Sequence, residues 1–172
     1  MILTRAMIKG KLESKQIIID PYPPEIGIGP NSVDLHLSNE IFLYTQTILD
    51  PRRKNEGEFK LIPEEGILLY PGQLYLGSTE EWTETQKLVP MLEGVSSNAR
   101  LGIQVHVSAG FGDIGFKGCW TLEIVVHKVV RVYPSMRIAQ IYYIKPLGDI
   151  EDYNGRYQHS TGTVYSKSFE KE

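Results

Sequence analysis

Short runs of strand-forming residues, separated by glycine and proline, limit the possible folds of this chain more than any other feature. Residues 32–37 alternate apolar and polar side chains, as a strand with one buried face does. Pro71-Gly72 is a turn signal between two such runs. The predicted strands cover residues 16–20, 32–37, 40–47, 59–62, 66–70, 73–78, 103–108, 119–126 and 137–144. The clearest helical pattern covers residues 4–15, with Thr4 as a capping residue. Many short strands and little helix predict an all-β sandwich or distorted barrel with a short N-terminal helix.

Size and charge exclude several classes of protein. The chain has 172 residues, 41% of them hydrophobic and 23% charged, which is the composition of a single folded domain over residues 1–172. A net charge of −3 argues against binding to DNA or RNA, which requires a basic surface. The first residues are charged early and lack a long apolar segment, so we expect no signal peptide, and no apolar run reaches the roughly 20 residues that a membrane helix needs. We therefore expect neither a nucleic acid nor a membrane as a partner.

Cysteine and histidine usage restricts the compartment and the chemistry. Cys119 is the only cysteine, so no intramolecular disulfide can form and a cytoplasmic location is favoured. A catalytic zinc ion held by a histidine and a close pair of cysteines is excluded by the same count, and the four histidines show no ligand spacing. The sequence therefore predicts a site without zinc.

Residues 93–123 bring together more small, polar and charged side chains than any other part of the chain. Ser96, Ser97 and Asn98 begin a predicted helical turn, and Arg100 follows it. Hydroxyl groups at such a position can cap exposed backbone N–H groups and so form an anion site. An ordinary capped turn with a surface arginine fits the same residues, and this segment alone favours that interpretation.

Glu123 is the only acidic residue in the apolar run 119–126. A carboxylate is expensive to bury in a strand unless it is paired or functional, and as a general base it can take a proton from water and return it to a leaving amine. An outward position on a half-exposed strand fits the pattern as well. The glycine-rich loop 110–118 contains Asp113, which suits a sugar hydroxyl or a hydrated metal, although a tight hairpin is the plainer interpretation.

The last part of the chain, residues 152–172, has no periodic pattern but is rich in aromatic side chains. Such a tail is either frayed or a flap that a ligand or a neighbouring subunit orders. Its aromatic content favours a flap.

Four segments, taken in order, resemble the dCTP deaminase branch of the dUTPase-like superfamily. They are IGPNSVDLHLS (28–38), LYPGQLYLGSTEEW (69–82, expected to form a hairpin), EGVSSNARLG with HVSAGFGDIGFKGCWTLEI (93–124), and DYNGRYQHSTGT (152–163). The resemblance implies a distorted β-barrel or jelly-roll subunit that forms a homotrimer with active sites shared between subunits. It also implies hydrolytic deamination of dCTP to a deoxyuridine nucleotide, with magnesium carried on the triphosphate.

The resemblance assigns roles to individual residues. Glu123 matches the glutamate that activates water for attack on C4 of cytosine and passes its proton to the departing ammonia. Ser96 matches the serine that positions this water, and Arg100 matches an arginine that stabilises the site. Ala109 matches the alanine whose backbone lies beside the pyrimidine. The implied nucleotide-binding residues are Ser97, Asn98, Asp113 near the deoxyribose, Thr121, Leu122, and Tyr153, Arg156 and Ser160 in the closing tail.

The product and the exact activity stay open at this point. Relatives that release dUTP carry His-Arg after the alanine, whereas Gly110 and Phe111 follow it here, which favours the bifunctional branch that continues to dUMP and diphosphate. A dUTP-type diphosphatase and an inactive nucleotide-binding homologue are the alternatives. The chain departs from the family pattern at Val95 (usually arginine), Gly112 (often isoleucine) and Ser160 (often glutamine).

Overall fold

The structure is a computed structural model that describes residues 1–106 and 108–170. Within them, helix α1 spans Arg5–Glu13, helix α2 spans Ser96–Ala99, and a short 3-10 helix spans Glu25–Gly27. The strands are β1 Ile17–Asp20, β2 Val33–Tyr44, β3 Gly57–Leu61, β4 Ile67–Leu69, β5 Tyr75–Thr79, β6 Trp82–Thr85, β7 Val89–Gly94, β8 Ile103–Val105, β9 Lys117–Gly118, β10 Thr121–Val126, β11 Val130–Val132 and β12 Arg137–Ile144.

A seven-stranded antiparallel sheet nearly closes into a barrel. Its strands follow the order β7-β12-β2-β5-β10-β8, and β3 adds to β2. Gly94 of β7 lies against Val105 of β8, so the two ends of this order approach one another. A three-stranded sheet β1-β6-β9 and a two-stranded sheet β4-β11 complete the fold. The predicted all-β distorted barrel with a short N-terminal helix is confirmed.

Strict alternation along β10 separates the core from the site. Leu122 and Ile124 are completely buried, and Val126 is nearly so, whereas Glu123 on the opposite face is partly exposed. Neighbouring strands bury Leu35 and other apolar residues in the same cluster. The hydrophobic effect therefore fixes which face of β10 the carboxylate occupies, because a shift of one residue would place it in the core.

Helix α1 packs on the barrel through Ile8 and Leu12. Hydrogen bonds from Arg5 and Lys9, which border this packed face, hold the pKa of Glu25 below its usual range. Thr4 lies at the N-cap position, as predicted, but its side chain makes no capping hydrogen bond, so that part of the prediction is wrong. Among the described residues, no helix is long and apolar enough to cross a membrane.

The predicted strands 32–37 and 40–47 are one strand, β2. Its pairing with β5 shifts register between Leu37 and Ile41, so an irregularity absorbs the polar interruption without ending the strand. The predicted strand 103–108 is shorter than expected and ends at Val105, and its residue 107 lies outside the described residues. The one-domain prediction for residues 1–172 stays a prediction.

Pro71-Gly72 does make a turn, with Gly72 at φ +83°, but the turn closes no hairpin. Strand β4 before it pairs with β11, and β5 after it pairs with β2 and β10, so the expected hairpin over residues 69–82 is wrong. The sequence patterns also missed β6, β7, β9 and β11. In β6 the buried side chains are Thr83 and Thr85, so no apolar alternation marks this strand.

Truncation of a core leucine tests this architecture. Leu35 is 0% exposed in β2, so Leu35→Ala leaves a cavity and should lower the free energy of unfolding by about 2–5 kcal/mol. The matched control Leu147→Ala removes the same atoms from a fully exposed side chain and should change stability by less than about 0.5 kcal/mol. Urea unfolding followed by circular dichroism measures both. Equal effects of the two variants would contradict the assigned core.

Candidate active site

A cavity of about 480 Å³ lies beside β10, between the barrel and the C-terminal tail. Its volume is in the range of small-molecule sites. Loop residues 109–113, strand β10 and the tail all contribute to its wall. Six of the residues that the sequence singled out line it: Ala109, Asp113, Thr121, Glu123, Tyr153 and Ser160. We call it the active-site cavity.

Glu123 faces this cavity in contact with His106. The antiparallel register of β8 and β10 pairs Val105 with Ile124, which places the next residue, His106, beside Glu123. The Nδ1 atom of His106 lies 2.5 Å from Glu123 Oε2, and the His106 backbone N–H donates to the Glu123 carbonyl at 3.0 Å. The imidazole is 4% exposed, whereas the carboxylate is 37% exposed and therefore open to a ligand.

The His106 contact fixes the direction of the hydrogen bond when Glu123 is ionised. An ionised carboxylate can only accept, so Nδ1 of His106 must then carry the proton. Among the described residues, Glu123 Oε1 accepts no hydrogen bond, and His106 Nε2 is buried without a partner. One carboxylate oxygen is therefore held by the protein, while the other is available to a water molecule.

The glycine-rich loop is not the tight hairpin of the plainer interpretation. Its first part runs along β7, where the Leu92 N–H donates to the Gly110 carbonyl at 2.7 Å and the Gly112 N–H donates to the Pro90 carbonyl at 2.9 Å. Gly112 has no room for a side chain, because the Trp120 ring and the Pro90 ring occupy the space that a Cβ atom would need. The glycine at this position, where isoleucine is often found, therefore leaves the space that the large indole of Trp120 occupies.

An aromatic cluster forms the apolar side of the active-site cavity. The rings of Phe116 and Trp120 lie 4.6 Å apart between centroids, and Tyr153 from the tail lies 6.1 Å from Phe116. Trp120 Nε1 donates to Thr83 Oγ1 at 2.8 Å, which holds the indole in place. Such a wall suits a flat, weakly polar ring.

The described part of the tail, residues 152–170, packs against its own chain over the active-site cavity. The Val164 N–H donates to Thr121 Oγ1 at 3.0 Å, and the Cys119 N–H donates to the Ser160 carbonyl at 2.7 Å. The Ser166 N–H donates to the Tyr44 hydroxyl at 3.0 Å. These contacts favour the flap over the frayed tail; residues 171–172 lie outside the described part.

The other predicted site residues do not line the cavity. Leu122 is completely buried in the core, and Arg156 Nη1 donates to the Lys167 carbonyl within the tail at 2.7 Å. Ser96, Ser97, Asn98 and Arg100 belong to α2 and its end. The structure of one chain therefore brings together only part of the predicted set.

Helix α2 also differs from the expected capped turn. Val95, not a serine, is its N-cap residue, and no side chain caps it. Val95 is buried, and Asn98 Nδ2 donates to the Arg137 carbonyl at 2.8 Å, which gives Asn98 a structural contact. Arg100 Nη1 donates to the Ser96 carbonyl at 3.1 Å. The side-chain cap predicted for the serines is wrong, whereas both serines are exposed to solvent.

The side chains that could bind a metal ion are not grouped together in the described part of the chain. Within residues 1–106 and 108–170 there is no group of three or more His, Cys, Asp or Glu side chains that could hold a metal ion.

Cys119 lines the cavity, where burial raises the pKa of its thiol and the nearby Glu81 carboxylate raises it further. The thiol therefore stays protonated at neutral pH and is a poor nucleophile.

Sequence reasoning missed His106, Trp120 and the tail residue Tyr157 as parts of the site. A signal for His106 was present, because this residue directly follows β8, which pairs antiparallel with β10. The register of the two strands places His106 opposite Glu123. Trp120 and Tyr157 carried no comparable signal. Aromatic residues are common in cores, and the sequence does not show which of them border a cavity.

Comparison with known proteins places the chain in a family. The family described as dCTP deaminase-like matches residues 2–145. A protein of Hathewaya histolytica named "dCTP deaminase, dUMP-forming" is 49% identical over 98% of both chains. A protein of Clostridium acetobutylicum with the same name is 51% identical over 94% of this chain and 93% of its own. The chain belongs to the dCTP deaminase-like family.

A solved structure supports the fold. The crystal structure of 2'-deoxycytidine 5'-triphosphate deaminase from Agrobacterium tumefaciens matches with a TM-score of 0.65 and 18% sequence identity. The match covers 83% of this chain and 47% of that chain. At this identity the likeness extends to the barrel fold alone.

Removal of a tail anchor tests how the tail is held. Thr121→Val removes the acceptor of the Val164 N–H, so exchange of backbone hydrogens in residues 160–168 should accelerate about 2- to 10-fold. Hydrogen–deuterium exchange with mass spectrometry measures this rate. The control Thr4→Val alters a threonine whose side chain makes no capping bond and should leave exchange in the tail unchanged. Unchanged exchange in Thr121→Val would show that this contact does not hold the tail.

Proposed function

We propose that this protein hydrolytically deaminates dCTP and releases dUMP, diphosphate and ammonia. The observation that carries the proposal is the Glu123 carboxylate, which faces the active-site cavity with one oxygen held by His106 and the other open. Relatives of about half-identical sequence that carry the name "dCTP deaminase, dUMP-forming" support this substrate and this product. The Gly110-Phe111 pair after Ala109 supports the dUMP-forming branch.

In this proposal Glu123 acts first as a base and then as an acid. Its carboxylate takes a proton from water while the water oxygen bonds to C4 of cytosine and the C4=N3 π electron pair moves to N3. The same proton then passes to the exocyclic amine. The C4–N4 bond breaks with its electron pair on nitrogen and ammonia leaves, while the proton of the added hydroxyl group passes to the electron pair on N3 and a carbonyl remains at C4. A second water attacks the α-phosphorus, and diphosphate leaves to give dUMP.

The other cavity residues orient the nucleotide. The Ala109 backbone lies beside the pyrimidine in this proposal, and Asp113 at the rim accepts a hydrogen bond from the deoxyribose. The Phe116 and Trp120 rings supply a dry wall for the base. Tyr153 and Ser160 of the tail close the site, which excludes water from the reacting centre.

The catalytic serine and arginine come from a neighbouring subunit in this proposal. Ser96 and Arg100 do not line the cavity that holds Glu123 in the same chain, whereas the serine side of α2 is exposed. A homotrimer with shared active sites brings α2 of one copy to the cavity of the next. Ser97 and Arg156 contact the phosphates, while Asn98 holds α2 in place and Leu122 presents its backbone.

Magnesium belongs to the substrate in this proposal, as the ion that accompanies the triphosphate. Asp113 is exposed at the rim and suits a hydrated ion carried there by the nucleotide. Zinc takes no part at the base. We also propose a cytoplasmic location, on the single free cysteine.

Loss of the Glu123 charge tests the reaction. With dCTP and magnesium, the unaltered protein should yield ammonia, dUMP and diphosphate. The variant Glu123→Gln should deaminate dCTP at least about 100-fold more slowly, because the glutamine amide cannot accept the proton from water. Glu93→Gln makes the same change at an exposed glutamate outside the cavity and should retain full activity. Ion-exchange chromatography separates the nucleotides. Conversion of dUTP but not dCTP would contradict the proposal and identify a diphosphatase, and tight binding without turnover would identify an inactive homologue.

Mixed oligomers test the shared site. Arg100→Ala and Glu123→Gln should each be inactive alone. If the two residues of one site come from different subunits, random mixing after joint refolding should restore about a quarter of the wild-type activity, since that share of sites has both residues intact. Mixing each variant with itself is the control. No recovery, in mixtures that size-exclusion chromatography and mass spectrometry show to be mixed trimers, would contradict the shared site.

A further inference from the structure

A second cavity, of about 330 Å³, lies where α1 meets the start of β7 and the end of β12. None of its lining residues belongs to the active-site cavity. It is lined by Leu3, Met7, Lys11, Gln16, Gln86, Lys87, Leu88 and Lys145. We call it the lysine cavity, and its position and composition differ from those of the site that holds Glu123.

The lysine cavity collects positive charge in a chain whose net charge is negative. Lys11, Lys87 and Lys145 all line it, and no acidic residue among residues 1–106 and 108–170 does. Lys11 Nζ donates to the neutral Gln16 Oε1 at 2.7 Å, and neither Lys87 nor Lys145 forms an ion pair with any described residue. Lys87 and Lys145 are exposed and Lys11 is partly buried, and three like charges around one concave surface raise the local positive potential, which favours an anion there.

Some lysines outside the lysine cavity pair with carboxylates, and others do not. Lys9, Lys60 and Lys117 each pair with a carboxylate within 3.5 Å. Lys15, Lys54, Lys128 and Lys167 form no ion pair with any described residue either, so the lysine cavity is distinguished by three lysines lining one concave surface and not by unpaired lysines as such. Gln86 adds a further amide donor at the rim.

The floor of the lysine cavity is apolar. Leu3 and Leu88 are buried there, while Met7 is 52% exposed at the edge. An exposed methionine beside two buried leucines leaves apolar surface in contact with water, and a flexible thioether adapts readily to a ligand. The cavity thus offers cations at its rim and an apolar surface at its base.

We propose that the lysine cavity binds a small organic phosphate, whose phosphate contacts Lys11, Lys87 and Lys145 and whose apolar group lies on Leu3, Met7 and Leu88. A phosphate accepts several hydrogen bonds at once and carries up to two charges, which suits a cavity lined by three lysines. The cavity is at the small end of the range for ligand sites, so a compact ligand fits better than a large one. This site is independent of the proposed deamination.

Methionine methyl NMR tests this proposal on the intact protein. Phenyl phosphate serves as the probe, in protein carrying ¹³C-labelled methionine methyl groups, with the Met7 signal assigned by Met7→Leu. Titration should shift the Met7 signal saturably, while Met136, which lies outside both cavities, stays unchanged. Inorganic phosphate should bind at least about tenfold more weakly, because it lacks the apolar group.

Paired charge variants make the result specific. Lys87→Ala with Lys145→Ala should weaken phenyl phosphate at least about tenfold at the Met7 signal. Lys15→Ala with Lys128→Ala removes the same charge from exposed lysines outside the cavity and should leave the affinity unchanged. Circular dichroism confirms that both variants are folded. No saturable shift of Met7, an equal affinity for inorganic phosphate, or equal weakening by both variants would overturn the proposal.

Discussion

The alternation of side chains along β10 is the constraint on which the rest of the site depends. Leu122 and Ile124 are completely buried between β5 and β8, so Glu123 must point to the opposite face. Burial of those two side chains is worth about 1.5–3 kcal/mol each, which a register shift would forfeit while placing a charge in the core. The same hydrogen-bonded register brings His106 beside the carboxylate. The packing of the core and the position of the Glu123 carboxylate therefore both depend on the register of β10.

The cavity beside this strand is assembled from parts that are far apart in the chain. The barrel supplies Glu123 and Trp120, the glycine-rich loop supplies Asp113, and the tail supplies Tyr153. The tail is held by hydrogen bonds to backbone and hydroxyl groups of the barrel and not by a large buried core. A few bonds of about 0.5–1.5 kcal/mol each can hold such a segment over a ligand and still release it.

The sequence predicted the barrel and named six of the residues that line the cavity beside β10, for physical reasons that individual residues illustrate. Runs of apolar residues identified β10 and β12, whereas no such run marks β6, whose buried face carries Thr83 and Thr85. The isolated carboxylate of Glu123 was visible because a charge is rare in such a run. His106 became visible only through the strand register. The contribution of Arg100 from another copy, which we propose above, depends on assembly, and local patterns do not encode assembly.

In the proposed reaction Glu123 directs a water molecule to C4 of cytosine. The most direct measurement is reaction of dCTP with magnesium in H₂¹⁸O, followed by mass spectrometry of the released pyrimidine base. The account predicts one ¹⁸O atom in the uracil, because the attacking water becomes the C4 carbonyl. Turnover that leaves an unlabelled cytosine base, with ¹⁸O only in the phosphates, would contradict it and show that this cavity hydrolyses the phosphate chain alone.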